Sequence, residues 1–135
     1  MKPPIAANRR HPVTDSVDPA KIDWVGDRRS YFWGWGLPTI LLIVGIFVPP
    51  PFRTALWFLA LAWQGGACLI NAARCKRTHC YLTGPFFVAM ATVTLFHGTG
   101  WVSLGEQGWI WIGLVIVLGT AILWIVPERF FGRFL

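Results

Sequence analysis

Apolar residues dominate four stretches of the chain, and the polar positions cluster between them. The runs cover about residues 31–48, 52–73, 85–102 and 109–126. Each is near the ~18–20 apolar residues that a membrane-crossing helix needs. The pattern therefore predicts an all-α membrane protein: four transmembrane helices in an antiparallel bundle, residues 31–126. Residues 1–30 read as a mobile basic N-terminal tail, with prolines at 3, 4, 12 and 19 breaking any helix. Within it, the stretch DWVGDRRS (23–30) suits the membrane surface, with Trp24 in the headgroups and Arg28 and Arg29 on phosphates. Residues 127–135 read as a basic aromatic C-terminal tail along the interface.

Punctuation inside the runs sharpens the elements. The first begins with Tyr31, Phe32, Trp33 and Trp35, an interfacial aromatic belt, and Pro38 predicts a kink or break. PPP at 49–51 ends it and opens the second. Thr83, Gly84 and Pro85 predict the start of the third, a capping hydroxyl followed by proline in the first turn.

Composition agrees with this class. Of the 135 residues 55% are hydrophobic and only 13% charged, against roughly 25% charged in soluble proteins. The formal net charge of +6 does not require nucleic acid as a partner. With four spans, eleven of the twelve cations fall on one side, and Arg53 alone on the other. The positive-inside rule makes the cation-rich side cytoplasmic. Both termini then lie in the cytoplasm of a cell with the protein in its inner (plasma) membrane, and the lipid bilayer is its first partner. Nothing at the N-terminus resembles a cleavable signal peptide.

Candidate chemistry is confined to two places. The first is the cation-rich link NAARCKRTHCYLTGP (71–85), where Cys75, His79 and Cys80 sit among Arg74, Lys76 and Arg77. Nearby cations favour thiolate, so Cys75 and Cys80 are expected to be reactive. Three ligands fall short of a closed structural zinc site. Thiolates favour a soft ion, Cu(I) or Hg(II), with Cys68 and Met90 as further soft groups deeper in the bundle. The alternative for this stretch is a basic connecting loop with incidental cysteines. No resident cofactor is implied beyond such an ion.

The second place is a pair of polar stripes. Gln64, Cys68, Asn71 and Cys75 are spaced four, three and four, and Met90, Thr94 and His97 four and three; each set lies on one helix face. Counting from Cys75 and from Pro85 at ~1.5 Å per residue sets Cys68 level with Met90 and Gln64 level with His97. Gln64, Asn71 and Thr94 serve as hydrogen-bonding glue between helices. His97 is either a functional intramembrane ionisable group or a neutral, bonded one.

The run Cys75-x3-His79-Cys80-x2-Thr83-Gly84-Pro85 resembles a loop in a set of small prokaryotic four-helix membrane proteins, a resemblance that implies the four-span plan. The chain is also loosely similar to small mercuric-ion uptake proteins, which pass Hg(II) inward between cysteine pairs. Those proteins carry such a pair in the first span, and this first span has none. The resemblance implies soft-metal binding or transport.

Three functions are thus in play. One is a soft-metal binding or transport protein, and another a structural or accessory subunit of a larger membrane complex. The third is a quinone-linked thiol oxidoreductase, which the wide Cys75–Cys80 spacing and the cytoplasmic placement disfavour. No hydrolytic triad, carboxylate pair or phosphate loop is present, so enzymatic activity is not expected.

Overall fold

The computed structural model describes residues 23–132. The predicted tail over 1–22 and the last three residues lie outside them, as does Arg133. All regular elements of the described residues are helical. Helix α1 (Arg28–Tyr31) passes into a π-helical turn, Phe32–Gly36, and then into α2 (Leu37–Ile46). Helices α3 (Pro50–Cys75), α4 (Thr78–Gly98) and α5 (Gly108–Phe131) follow. These last three are long and apolar enough to cross a membrane. At ~1.5 Å per residue they exceed the ~30 Å hydrocarbon thickness.

The π turn is where Pro38 makes itself felt. Proline has no N–H, so the ladder ahead of it must rearrange. Leu37 donates to Phe32 O, five residues back. The extra residue in that turn rotates Trp35 inward, where it is 5% exposed, whereas Tyr31, Phe32 and Trp33 are exposed. Asp27 caps the start of α1, accepting from Ser30 N at 2.9 Å.

The largest departure from the sequence-based expectation is between α3 and α4. No loop runs from Arg74 to Gly84. The connection is two residues, Lys76 in the left-handed region (φ 54°) and Arg77 extended, and α4 starts at Thr78. Lys76 N bonds Ala72 O at 2.9 Å, closing the end of α3. Thr83, Gly84 and Pro85 are therefore inside α4 and do not start it. Thr83 Oγ1 bonds back to His79 O at 3.0 Å, a satisfied intrahelical role rather than a cap. Proline at 85 frees one carbonyl, an acceptable loss in the second turn of a packed helix.

The new start shifts the register of the pair. Gly65 of α3 sits against Gly84 and Val88 of α4, and Gly98 against Thr54. Cys68 is consequently level with Cys80 and Thr83, and Met90 lies roughly 10 Å further along the helix. Gln64 is likewise not paired with His97; its amide donates to Thr39 Oγ1 at 3.0 Å.

α2 packs on α3, α3 on α4, and α4 on α5. α2 and α5 do not pack on each other, which leaves a groove between them. The core runs along the α3–α4 seam, through Trp57, Leu61, Cys68, Phe87 and Ala91. α5 presents an exposed apolar surface: Ile110, Leu114, Val117, Leu118 and Ile122 are all exposed. It also continues past Pro127 to Phe131, where the sequence pattern ended it at Val126. At the start of the described chain, Asp23 to Val25 are tucked in, whereas Gly26 to Arg29 are exposed. Asp23 is 4% exposed, and Trp24 is half-buried with the Arg74 guanidinium 4.7 Å over its ring.

Candidate functional site

All three cysteines are free and buried. Cys75 and Cys80 are 1% and 0% exposed. They are not carried on a basic loop, where the sequence pattern placed them. Because Thr78 already begins α4, His79 and Cys80 are carried onto its inner face. The cations do not surround the sulfurs: Arg74 covers Trp24, Lys76 is exposed, and Arg77 bridges two carboxylates.

The thiol that meets Cys80 is Cys68, from the facing helix. The two thiols are close enough to interact electrostatically. Cys68 Sγ also accepts from Trp35 Nε1 at 3.3 Å and from Thr83 Oγ1 at 3.4 Å. Thr83 has one hydroxyl proton and two acceptors, so it shares that proton between Cys68 and the His79 carbonyl. Cys80 Sγ accepts from Asn71 Nδ2 at 3.6 Å. Neutral donors aimed at sulfur from three elements stabilise negative charge there.

On its other side Cys80 meets His79. Nε2 is 3.4 Å from Cys80 Sγ, and Nδ1 is 2.6 Å from Glu128 Oε1. With the Nδ1 proton given to Glu128, Nε2 is left as an acceptor for the Cys80 proton. The imidazole is stacked on Trp124, with centroids 4.4 Å apart and planes 10° from parallel. Trp124 and Glu128 are four apart on α5, on one face, so a single helix supplies both the platform and the orienting carboxylate. That requires α5 to run through Pro127, as it does.

A layer of ion pairs closes this end. Arg77 Nε bonds Glu128 Oε1 at 2.9 Å, and its Nη1 pairs with Asp23 Oδ2. Asp23 Oδ1 accepts from Asn71 Nδ2 at 2.8 Å and from Val25 N at 3.0 Å. Asn71 Oδ1 takes Trp24 N at 3.0 Å. Asn71 thus ties the 23–25 segment to Cys80 with three of its four hydrogen bonds. Cys75 has one proton and two acceptors, Asn71 O at 3.1 Å and Asp23 Oδ1 at 3.7 Å. That donor role needs the thiol form, which sets Cys75 apart from Cys68. Among the described residues, two carboxylates and one guanidinium leave the layer with one net negative charge.

The other sequence candidates lie apart. Met90 is buried in the apolar core. Gln64 and Thr94 are buried, with Gln64 Oε1 and Thr94 Oγ1 lacking a partner among the described residues. His97 is not deep in the bundle. It occupies the last turn of α4 at the opposite end, half-buried, with Nδ1 3.2 Å from Val102 O and its ring beside Trp109. Among the described residues no three His, Cys, Asp or Glu side chains form a group that could hold a metal.

Sequence reasoning missed Asp23, Trp35, Trp124 and Glu128. A usable signal existed for the acids. The chain has only six, and an acid that abuts an apolar run beside a surplus of cations is a candidate to pair. No family model, curated protein or solved structure matches this chain.

Proposed function

We propose that the chain is a four-span protein of the inner membrane that binds a soft metal ion, Hg(II) or Cu(I), between Cys68 and Cys80. In this reading the run 28–46 is the first span, despite its π turn, the four spans alternate in direction, and both termini are cytoplasmic. The observation that carries the metal reading is the pair of facing thiols with Trp35, Thr83 and Asn71 donating to the sulfurs. Two-coordinate binding needs two thiolates only, so the lack of a three-ligand cluster does not weigh against it. Soft ions prefer such ligands.

The proton balance also supports the reading. An ion held by both sulfurs displaces two thiol protons. His79 Nε2 is placed to take the Cys80 proton, with Glu128 steadying the imidazolium that results, and the Cys68 proton is released to solvent as the ion enters. Hg(II) with two thiolates is neutral, whereas Cu(I) leaves one negative charge. A buried site disfavours uncompensated charge, so the Hg(II) form needs His79 to pass its proton on, whereas in the Cu(I) form a retained imidazolium offsets the thiolate charge. Passage of the ion through the bundle is the transport form of the same proposal.

The test is metal stoichiometry on protein purified under reducing conditions. Wild type is expected to hold about one Hg(II) per chain, with the ion lost in Cys68→Ser and in Cys80→Ser and retained in Cys75→Ser. Equal retention in all three variants would remove the metal reading. The search would then turn to a larger complex in which this chain is an accessory subunit.

A further inference from the structure

The groove between α2 and α5 has a volume of about 740 Å³, within the usual ~300–1,000 Å³ of small-molecule sites. Its walls are Ile43 and Ile46 of α2 and Leu114 and Val117 of α5, and Trp57 and Phe87 form the floor. At one end stand Arg53 and Trp109, and at the other Thr120 and Ala121. From Trp109 to Thr120 is eleven residues of helix, roughly 17 Å. One leaflet of hydrocarbon is about half of 30 Å deep. The groove therefore runs from an interface to the neighbourhood of the midplane.

Arg53 makes the mouth unlike the rest. Its guanidinium donates to the carbonyls of Gly45 (3.0 Å), Ile46 (3.0 Å) and Val48 (3.2 Å) and lies 5.3 Å from the Trp109 ring centroid. These partners are neutral. Among the described residues no carboxylate pairs with it, in contrast to Arg77 with two. The mouth of an apolar, leaflet-deep groove thus carries one uncompensated positive charge. We propose that the groove is a binding site for an anionic phospholipid, its phosphate on Arg53 and one acyl chain along the α2–α5 cleft. A zwitterionic lipid offers the same chain with an added cation, so the discrimination falls on the headgroup. The site rests on the membrane-spanning part of the function proposed above, and is independent of the thiol pair.

The test uses the full chain in phosphatidylcholine vesicles doped with spin-labelled phosphatidylglycerol or spin-labelled phosphatidylcholine. The motion-restricted lipid fraction is read by electron paramagnetic resonance. One cation near the headgroup corresponds to about a fivefold preference for the anionic lipid at low salt. Arg53→Lys is expected to keep the preference and Arg53→Gln to erase it. Val117→Trp, at a lipid-facing wall position, fills the groove and should erase it with Arg53 intact. Equal restriction of the two lipids by wild type would overturn the site, as would a preference that survives Arg53→Gln or Val117→Trp. Absence of any restricted phosphatidylcholine would overturn the membrane reading itself, and the two failures are thereby told apart.

Discussion

At the scale of single residues, Asp23 decides how closed the thiol end is. Burial pushes its carboxyl pKa up, but donors from Asn71, the Val25 amide and Arg77 outweigh that and hold it below its ordinary value of 3.8. A carboxyl whose folded pKa is depressed contributes stability above its unfolded value and loses it as pH falls through the folded one. The melting temperature of wild type should therefore exceed that of Asp23→Asn at neutral pH, and the gap should close as pH falls below about 3.8. A gap that stays constant to pH 3 would mean the ion pair with Arg77 does not contribute. At this scale the sequence was only partly legible. The stripe of Gln64, Cys68, Asn71 and Cys75 was readable from spacing, and three of its four members do belong to the network. Their partners were not readable, because Asp23 and Glu128 are 54 and 51 residues from Arg77. No local pattern encodes such contacts.

At the scale of elements, the seam between α3 and α4 sets every distance at the site. A Cβ on Gly65 would lie 2.8 Å from Val88 Cγ2 and 3.1 Å from the Gly84 carbonyl. Its neighbour Gly66 has nothing within 4 Å. Gly65→Leu should destabilise the protein by about 1–3 kcal/mol, the usual cost of overpacking, and should weaken Hg(II) retention by parting Cys68 from Cys80. Gly66→Leu should do neither. Equal behaviour of the two variants in thermal melts would sink this account of the seam. The start of α4 shows why local rules misplaced the thiols. Thr-Gly-Pro is a sound helix-start signal, yet packing overrode it. Extending the helix back to Thr78 buries His79, Cys80 and Thr83, and a proline in the second turn costs little when neighbouring helices satisfy the freed groups. The same override carries α5 through Pro127. At Pro38 the chain is helical without interruption, with a π turn just ahead of the proline where the sequence suggested a kink or break, and Trp35 of that turn reaches Cys68.

At the scale of the whole molecule, the apolar runs alone gave the class, and the helical structure with three candidate spans agrees with it. Whether 28–46 completes a fourth span bears on orientation. An even number of spans returns both ends to one side of the membrane. Reporter fusions at the two termini should therefore report the same compartment. Opposite compartments would leave three spans and move either the thiol end or the Arg53 end to the other face. The two ends differ in kind: one is closed by ion pairs over sulfur, the other carries Arg53 and Trp109 beside an open groove.

The guanidinium of Arg77 joins Asp23, which precedes every described helix, to Glu128, near the end of the last one. A ribosome delivers these partners far apart in time. Asp23 and Arg77 can meet once the α3–α4 hairpin has been made, but His79 has no carboxylate until α5 is almost complete. The nascent chain therefore holds Cys68 and Cys80 in an unfinished setting through most of its synthesis. The final turn of the last helix completes the clasp.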